Sequence, residues 1–250
     1  MDTTFFTPIQ LKEMDKVKLM NRTDQKYWFH IDSLSELLQE IQQEYFLLHI
    51  KGNNQLPYTT SYFDTANNNM FAAHHNGKLN RYKIRRRTYV DSQISFMEIK
   101  FKSNKGRTIK KRIPTTFCNN GFTGTEEQFI SNQSPFSTCE LHKVLVNRFS
   151  RLTLVNKNFK ERCTIDLDIE FEVNKQIIPL DRLVIVEIKS DGRSNVSPLA
   201  KALQNKRIKS SGFSKYCVGR SVTDPFLKRN AFKAKIRRIE KVTQTSIHLI

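Results

Sequence analysis

The chain has 250 residues, enough for one large domain or two small ones around a buried core. Its 38% hydrophobic content, with 18 Phe and 7 Tyr, excludes a disordered chain. The formal net charge of +18 points to an anionic partner, because so much like charge opposes compaction unless something neutralises it.

Residues 1–20 read as a flexible lead-in, followed by a first strand over 21–30. Ser33-Leu34-Ser35-Glu36 has capping-box spacing, and Leu34, Leu37, Leu38, Ile41 and Tyr45 recur at helical intervals as a core stripe. Gly52-Asn53-Asn54 breaks the chain before a strand over 58–64, and Asn76-Gly77 marks a turn, with His74 and His75 expected in the exposed loop before it. In the strand over 81–90, Arg81, Lys83, Arg85 and Arg87 take one face, and Tyr82, Ile84, Thr88 and Val90 the other, with Arg86 the exception. Phe96, Glu98, Lys100 and Lys102 alternate in the same way with Ser95, Met97, Ile99 and Phe101. After Asn104-Lys105-Gly106, Thr108, Lys110 and Arg112 share a face opposite Ile109 and Ile113.

The stretch 114–146 reads as helix and loop, and strands resume over 148–155 and 162–173. The latter alternates most cleanly, with Arg162, Thr164, Asp166, Asp168, Glu170 and Glu172 against Cys163, Ile165, Leu167, Ile169, Phe171 and Val173. One or two of these acids are expected inward near a metal, the rest as partners of cations. A strand over 183–189, a helix over 198–206 and a strand over 213–219 close the body. From Pro225 onward a basic, helical tail carries a net +6, which leaves +12 for the body, so the tail does not explain the imbalance. Phe232, Ile236 and Ile239 have helical spacing there, and the tail suits an anionic membrane surface or an acidic partner.

Strands of this kind predict an α+β fold: an antiparallel β tunnel barrel of about eight strands with a polar, cationic interior and helices packed outside. The sequence contains no GxxxxGK, GxGxxG or HExxH motif, and its six histidines are unclustered. Cys118, Cys139, Cys163 and Cys217 form no CxxC pair and read as reduced thiols of a cytoplasmic protein. No signal peptide is visible, and no apolar run approaches the ~18 residues that span a bilayer. Many cations and a few acids on facing strands suit phosphoryl transfer, where positioning and charge stabilisation dominate.

Lys26-Tyr27-Trp28, Tyr62-Phe63-Asp64-Thr65, Ile84 to Tyr89, Glu98-Ile99-Lys100, Ile109 to Arg112, Arg162, Glu187-Ile188-Lys189 and Phe213 to Tyr216 follow in an order that resembles the vacuolar transporter chaperone (VTC) polyphosphate polymerases, a branch of the triphosphate tunnel metalloenzymes. The resemblance covers about residues 21–223, between the lead-in and a tail over 224–250. It implies a polymerase that extends polyphosphate with the γ-phosphate of ATP and releases ADP. It makes Lys26, Arg85, Arg87, Lys100, Lys110, Arg151, Arg162 and Lys215 phosphate-binding cations, with Arg85, Arg87, Lys100 and Lys215 catalytic. Glu187 becomes the ligand of Mn²⁺ or Mg²⁺. Arg148 competes with Arg151 for its place, Glu98 is an ion-pair partner of Lys100 or Arg85, and Lys189 is structural.

Asp24-Gln25-Lys26 stands where hydrolytic tunnel enzymes carry ExExK, which favours a polymerase over a hydrolase. The inositol-phosphate-sensing domain and membrane spans of the fungal complexes have no counterpart in the sequence. Two rivals stand beside this reading: a metal-dependent tri(poly)phosphatase of the same fold, and a non-catalytic polyanion- or nucleic-acid-binding module. Nucleic acid is disfavoured, because the aromatics are expected on the apolar strand faces rather than among the cations.

Overall fold

The alternating segments become strands in the computed structural model, which describes residues 2–17, 22–116, 121–191 and 197–247. In chain order the elements are β1 (Thr7–Gln10), β2 (Arg22–His30), α1 (Leu34–Ile41), β3 (Tyr45–His49), β4 (Leu56–Thr65), α2 (Asn69–His75), β5 (Arg81–Tyr89), β6 (Ile94–Lys102), β7 (Thr108–Thr115), α3 (Gly124–Gln133), β8 (Leu141–Asn156), β9 (Glu161–Val173), β10 (Gln176–Leu180), β11 (Leu183–Asp191), α4 (Pro198–Asn205), α5 (Lys215–Thr223) and α6 (Asn230–Thr243). All the strands join one sheet, whose main path runs β2-β11-β9-β8-β4-β5-β6-β7 with antiparallel neighbours throughout. β3 is attached to β8 and β10 to β9, and β1 lies parallel to β3.

The two ends of the path, β2 and β7, are not joined by a ladder among the described residues. The sheet rolls nonetheless. Lys100 on β6 lies within electrostatic reach of Glu187 and Lys189 on β11, five places away in strand order. Lys83 on β5 likewise feels Lys26 on β2. The tunnel is thus a rolled eight-stranded path with an open seam, its concave side carrying the alternate residues that bear charge.

The convex side carries the apolar alternates. Leu152, Leu154, Ile165, Val184 and Val186 pack there against Leu34, Leu37, Leu38 and Ile41 of α1 and Leu199, Ala202 and Leu203 of α4. Each fully buried Leu contributes about 1.5–3 kcal/mol. On the far side Arg86, the exception to the β5 alternation, points outward and grips Glu126 of α3 through Nε at 2.9 Å and Nη2 at 2.6 Å. A charge on the apolar face is tolerated because its partner helix carries the buried counter-ion.

β9 holds a device that its sequence conceals. Asp168 has φ +51, and the ladder to β8 steps from Ser150↔Leu167 to Arg148↔Glu170, one extra residue on β9. This is a β-bulge, and it exchanges the faces of everything beyond it. Arg162, Thr164 and Asp166 lie on the concave face with Arg151, whereas Glu172 pairs with the half-exposed Arg148 on the other side. The alternation of residue types continues unbroken through the bulge; of the one or two acids expected inward, Asp166 takes that place, and Glu172 partners Arg148.

Other expectations shift as well. The supposed flexible lead-in contains β1, because Phe6 and Ile9 bury in the core and the partner strand is distant in sequence. Residues 1 and 18–20 of that segment, Asn21 of the first strand, Cys118 and tail residues 248–250 lie outside the described residues. Tyr45 opens β3 instead of closing α1, β8 begins at Leu141 rather than near Arg148, and His74 and His75 belong to α2. Residues 215–219, expected as strand, start α5, where Ser214 caps the helix by accepting from the Cys217 N–H at 3.2 Å. Every residue from Tyr216 to Thr223 is buried, so no polar face betrays the helical period. Gly219 makes that burial feasible: a Cβ there would sit 2.6 Å from both Leu145 and Phe171.

Candidate functional site

Ladder register fixes which side chains meet. Lys26 is opposite Glu187, Glu187 opposite Thr164, and Lys189 opposite Arg162. Arg151 is opposite Asp166, Arg85 opposite Glu98, Lys83 opposite Lys100, and Lys100 opposite Lys110. Cross-strand partners share a sheet face, so Lys26, Arg85, Arg87, Lys100, Lys110, Arg151 and Arg162 line one concave surface. The first turn of α5 brings in Lys215, which binds Asp166. Arg151 therefore takes the inner position, with Arg148 outside beside Glu172.

Three acids each tie two cations. Glu98 accepts from Arg85 Nε at 2.7 Å and also pairs with Lys110. Asp166 accepts a fork from Arg151, 2.6 Å from Nε and 2.9 Å from Nη2, and also holds Lys215. Glu187 lies 2.5 Å from Lys26 Nζ and 3.2 Å from Lys189 Nζ. Lys189 is thus part of the network, and Glu98 pairs with Arg85 and Lys110 rather than Lys100. Among the described residues Lys100 and Arg87 have no acid within ion-pair distance; Arg87 donates from Nε to Thr60 Oγ1 at 3.2 Å, and Lys83 to Ser214 Oγ at 2.9 Å.

The electrostatics follow from this excess. The positive Arg85 beside it, then burial, holds the Lys100 ammonium well below its usual range. Burial pushes Lys110 down to about 8 against the pull of Glu98. Burial, with Arg85 and Arg151 close by, lowers Arg87 to about 10. Burial alone would raise Glu98, Asp166 and Glu187, yet the cations around each outweigh it and keep all three ionised. The concave face carries more cations than the three acids neutralise.

Aromatic rings interleave with these cations, contrary to expectation. Tyr58 and Phe149 stack with centroids 5.2 Å apart and planes 4° apart. Arg87 and Arg151 lie over both rings at 5.2–5.7 Å, and Lys215 lies 4.5 Å from the Phe149 centroid. Tyr58 and Tyr62 alternate on β4 in register with Tyr89 and Arg85, which puts them on the face of the cations. The expectation fails because it assigns Tyr and Phe to the apolar face by type.

No group of three or more His, Cys, Asp or Glu side chains suited to a metal occurs among the described residues. The donor set near Glu187 is a single hard carboxylate. Such a set fits Mg²⁺ or Mn²⁺ held by one carboxylate, with substrate phosphates and water completing the shell, and does not fit a dedicated protein cage.

Residues 21–223 match the sequence family described as VTC domain. No curated protein matches the chain. Among solved structures, a putative adenylyl cyclase from Hippeastrum, described as having a dominant triphosphatase activity, is similar with a TM-score of 0.52 and 16% identity, over 81% of this chain and 96% of that one. A putative adenylate cyclase from Bacillus halodurans aligns with a TM-score of 0.48 and 11% identity, over 78% of this chain and 96% of that one. A conserved hypothetical protein from Pyrococcus furiosus gives 0.44 and 9%, over 78% and 99% respectively.

Proposed function

We propose that this chain, which belongs to the VTC domain family, is a polyphosphate polymerase that uses ATP. The observation that carries the reading is the convergence of cations from β2, β5, β6, β7, β8, β9, β11 and α5 on one concave face whose acids are too few to neutralise them. A polyphosphate chain, with about one charge per unit, matches an elongated cationic surface better than a compact anion does.

Arg85, Arg87, Lys100 and Lys215 orient the γ-phosphate and take up the charge that develops on it, with Lys26, Lys110, Arg151 and Arg162 holding the adjoining phosphates. A terminal oxygen of the bound polyphosphate attacks the γ-phosphorus in line. The bond to the β-bridging oxygen breaks, and ADP leaves with the electron pair. The attacking oxygen is already ionised, so no proton need be removed, in keeping with the ion pairs that hold Glu98, Asp166 and Glu187. A divalent cation at Glu187, Mg²⁺ or Mn²⁺, supplies further charge neutralisation when bound. Cytoplasmic ATP and a reducing milieu for the free Cys139, Cys163 and Cys217 suit this reading. No helix among the described residues is long and apolar enough to cross a membrane.

The second reading, a metal-dependent triphosphatase, is favoured by the activity described for the Hippeastrum protein of similar fold. A nucleic-acid module is disfavoured on new grounds: Tyr58 and Phe149 are buried, and their neighbours are guanidinium groups rather than open space for a base. The fate of γ-labelled ATP decides. Label in long phosphate chains is expected; label released only as free phosphate replaces the polymerase with the phosphatase.

A further inference from the structure

The ion-pair network leaves two buried donors on β9 without partners, Thr164 Oγ1 and Arg162 Nε. They lie two residues apart on the concave face, Thr164 beside Glu187 and Arg162 beside Lys189. Thr164 is only 6% exposed, so water does not readily serve its hydroxyl. A buried hydroxyl without an acceptor is costly, and native structures seldom keep one without reason. A valine has the same shape and strand preference and would fill the position without that cost.

The carboxylates nearest to Thr164 are already taken up by cations. The oxygens of Glu187 are engaged by Lys26 and Lys189, and those of Asp166 by Arg151 and Lys215. Lys100, which has no acid within ion-pair distance among the described residues, projects its charge onto this same stretch of β11. An incoming anion would find a neutral O–H, a guanidinium N–H and an ammonium together.

We infer that Thr164 donates its hydroxyl to a non-bridging oxygen of the phosphate chain, forming with Arg162 a phosphate subsite on β9; this rests on the tunnel's holding polyphosphate, as proposed above. The hydroxyl adds a hydrogen bond without adding charge to a face already crowded with cations. Its contribution is therefore independent of salt and of the protonation of the lysines, whereas theirs is not.

The test is calorimetric titration of the full chain with inorganic tripolyphosphate, in EDTA so that metal ligation plays no part. Thr164→Val and Thr164→Ser are compared with the native protein over a range of salt. The valine variant should bind about tenfold more weakly, the loss of one well-placed hydrogen bond. Its salt dependence should be unchanged, and its empty-state Tm equal to or above the native value. Serine should restore affinity. Native affinity in Thr164→Val would overturn the inference while leaving the polymerase reading intact. A fall in empty-state Tm would also count against it, since the hydroxyl would then have an internal partner. If the native protein itself fails to bind tripolyphosphate, the reading of the tunnel falls first.

Discussion

β5 and α6 are both basic segments with apolar residues at the period of their own secondary structure, yet they put charge to opposite uses. On α6, Phe232, Ile236 and Ile239 bury, while Lys233, Arg237 and Lys241, one turn apart, remain exposed to water. On β5, Arg85 and Arg87 are buried themselves, 7% and 8% exposed, and their backs are closed by neighbouring strands. A helical stripe on a convex surface spreads its charges apart; alternate residues on a rolled sheet bring theirs together. The number of cations is a property of sequence, whereas their convergence is a property of curvature. Burial within the rolled sheet lowers Arg87 and Lys110, the nearby Arg85 with burial lowers Lys100, and this creates a demand for an anion.

The largest expected consequence concerns Arg87, which lacks an acid partner among the described residues and is opposed by Arg85 and Arg151. Arg87→Met keeps the length of the side chain and removes the repulsion. Turnover of ATP should fall about a hundredfold or more, the scale of losing one stabilising donor at a reacting centre. The empty protein should melt at the same temperature or higher. Lys215→Ala should cost a similar factor in turnover, but with some loss of stability, since Asp166 then keeps Arg151 alone. Turnover retained in Arg87→Met would place β5 in the same class as α6.

How much of this contrast could be read from the chain depends on the element. The alternation of β5 and β6 is plain because each charged residue lies two positions from the next, and the structure leaves that alternation uninterrupted. On β9 the same pattern misleads past Asp168, since a bulge changes faces without changing the succession of residue types. α5 is hidden by the opposite problem: a helix buried on all sides has no polar face to mark its period, so the sequence suggests a strand at Lys215 although it reaches Asp166 from a helix start. The aromatic lining of Tyr58 and Phe149 was illegible for a third reason, because stacking with arginine requires a neighbour from another strand. The rolling of the sheet has no local signature, and the approach of Lys100 to Glu187 is its clearest trace.

A smaller effect sharpens the comparison through protons. Burial pushes Lys110 down to about 8, and the neighbouring Arg85 with burial holds Lys100 well below its usual range, so part of the tunnel is uncharged in the empty protein at mildly alkaline pH. Tripolyphosphate favours the charged forms, and its binding between about pH 7 and 9 should therefore take up protons. Titrations in two buffers of different ionisation enthalpy measure that uptake directly. Stability moves the other way in the empty protein. The unfolded chain, with ordinary lysines, binds more protons across this window, so unfolding becomes harder as pH rises through the folded values towards about 10. Saturating tripolyphosphate should flatten that rise. Proton release on binding, or none, would mean that the tunnel lysines are as solvated as those of α6.

The smallest effect belongs to α6 itself. Lys233→Ala, Arg237→Ala and Lys241→Ala together remove three charges from its exposed stripe and none from its buried one. Exposed substitutions of this kind change stability by no more than about 0.5 kcal/mol each. No carboxylate forms an ion pair with these three among the described residues, and the variant keeps Arg238, which lies 4.3 Å over the Trp28 ring, and the buried Phe232, Ile236 and Ile239. Turnover should stay within about twofold. If the stripe serves the anionic membrane surface that its sequence suggests, at about 1 kcal/mol per basic residue near such a surface, the same variant should lose retention on anionic lipid vesicles at low salt. A collapse of turnover to the level of Arg87→Met would show that exposed charge on a convex helix does what enclosed charge does, and the distinction between the two regions would be lost.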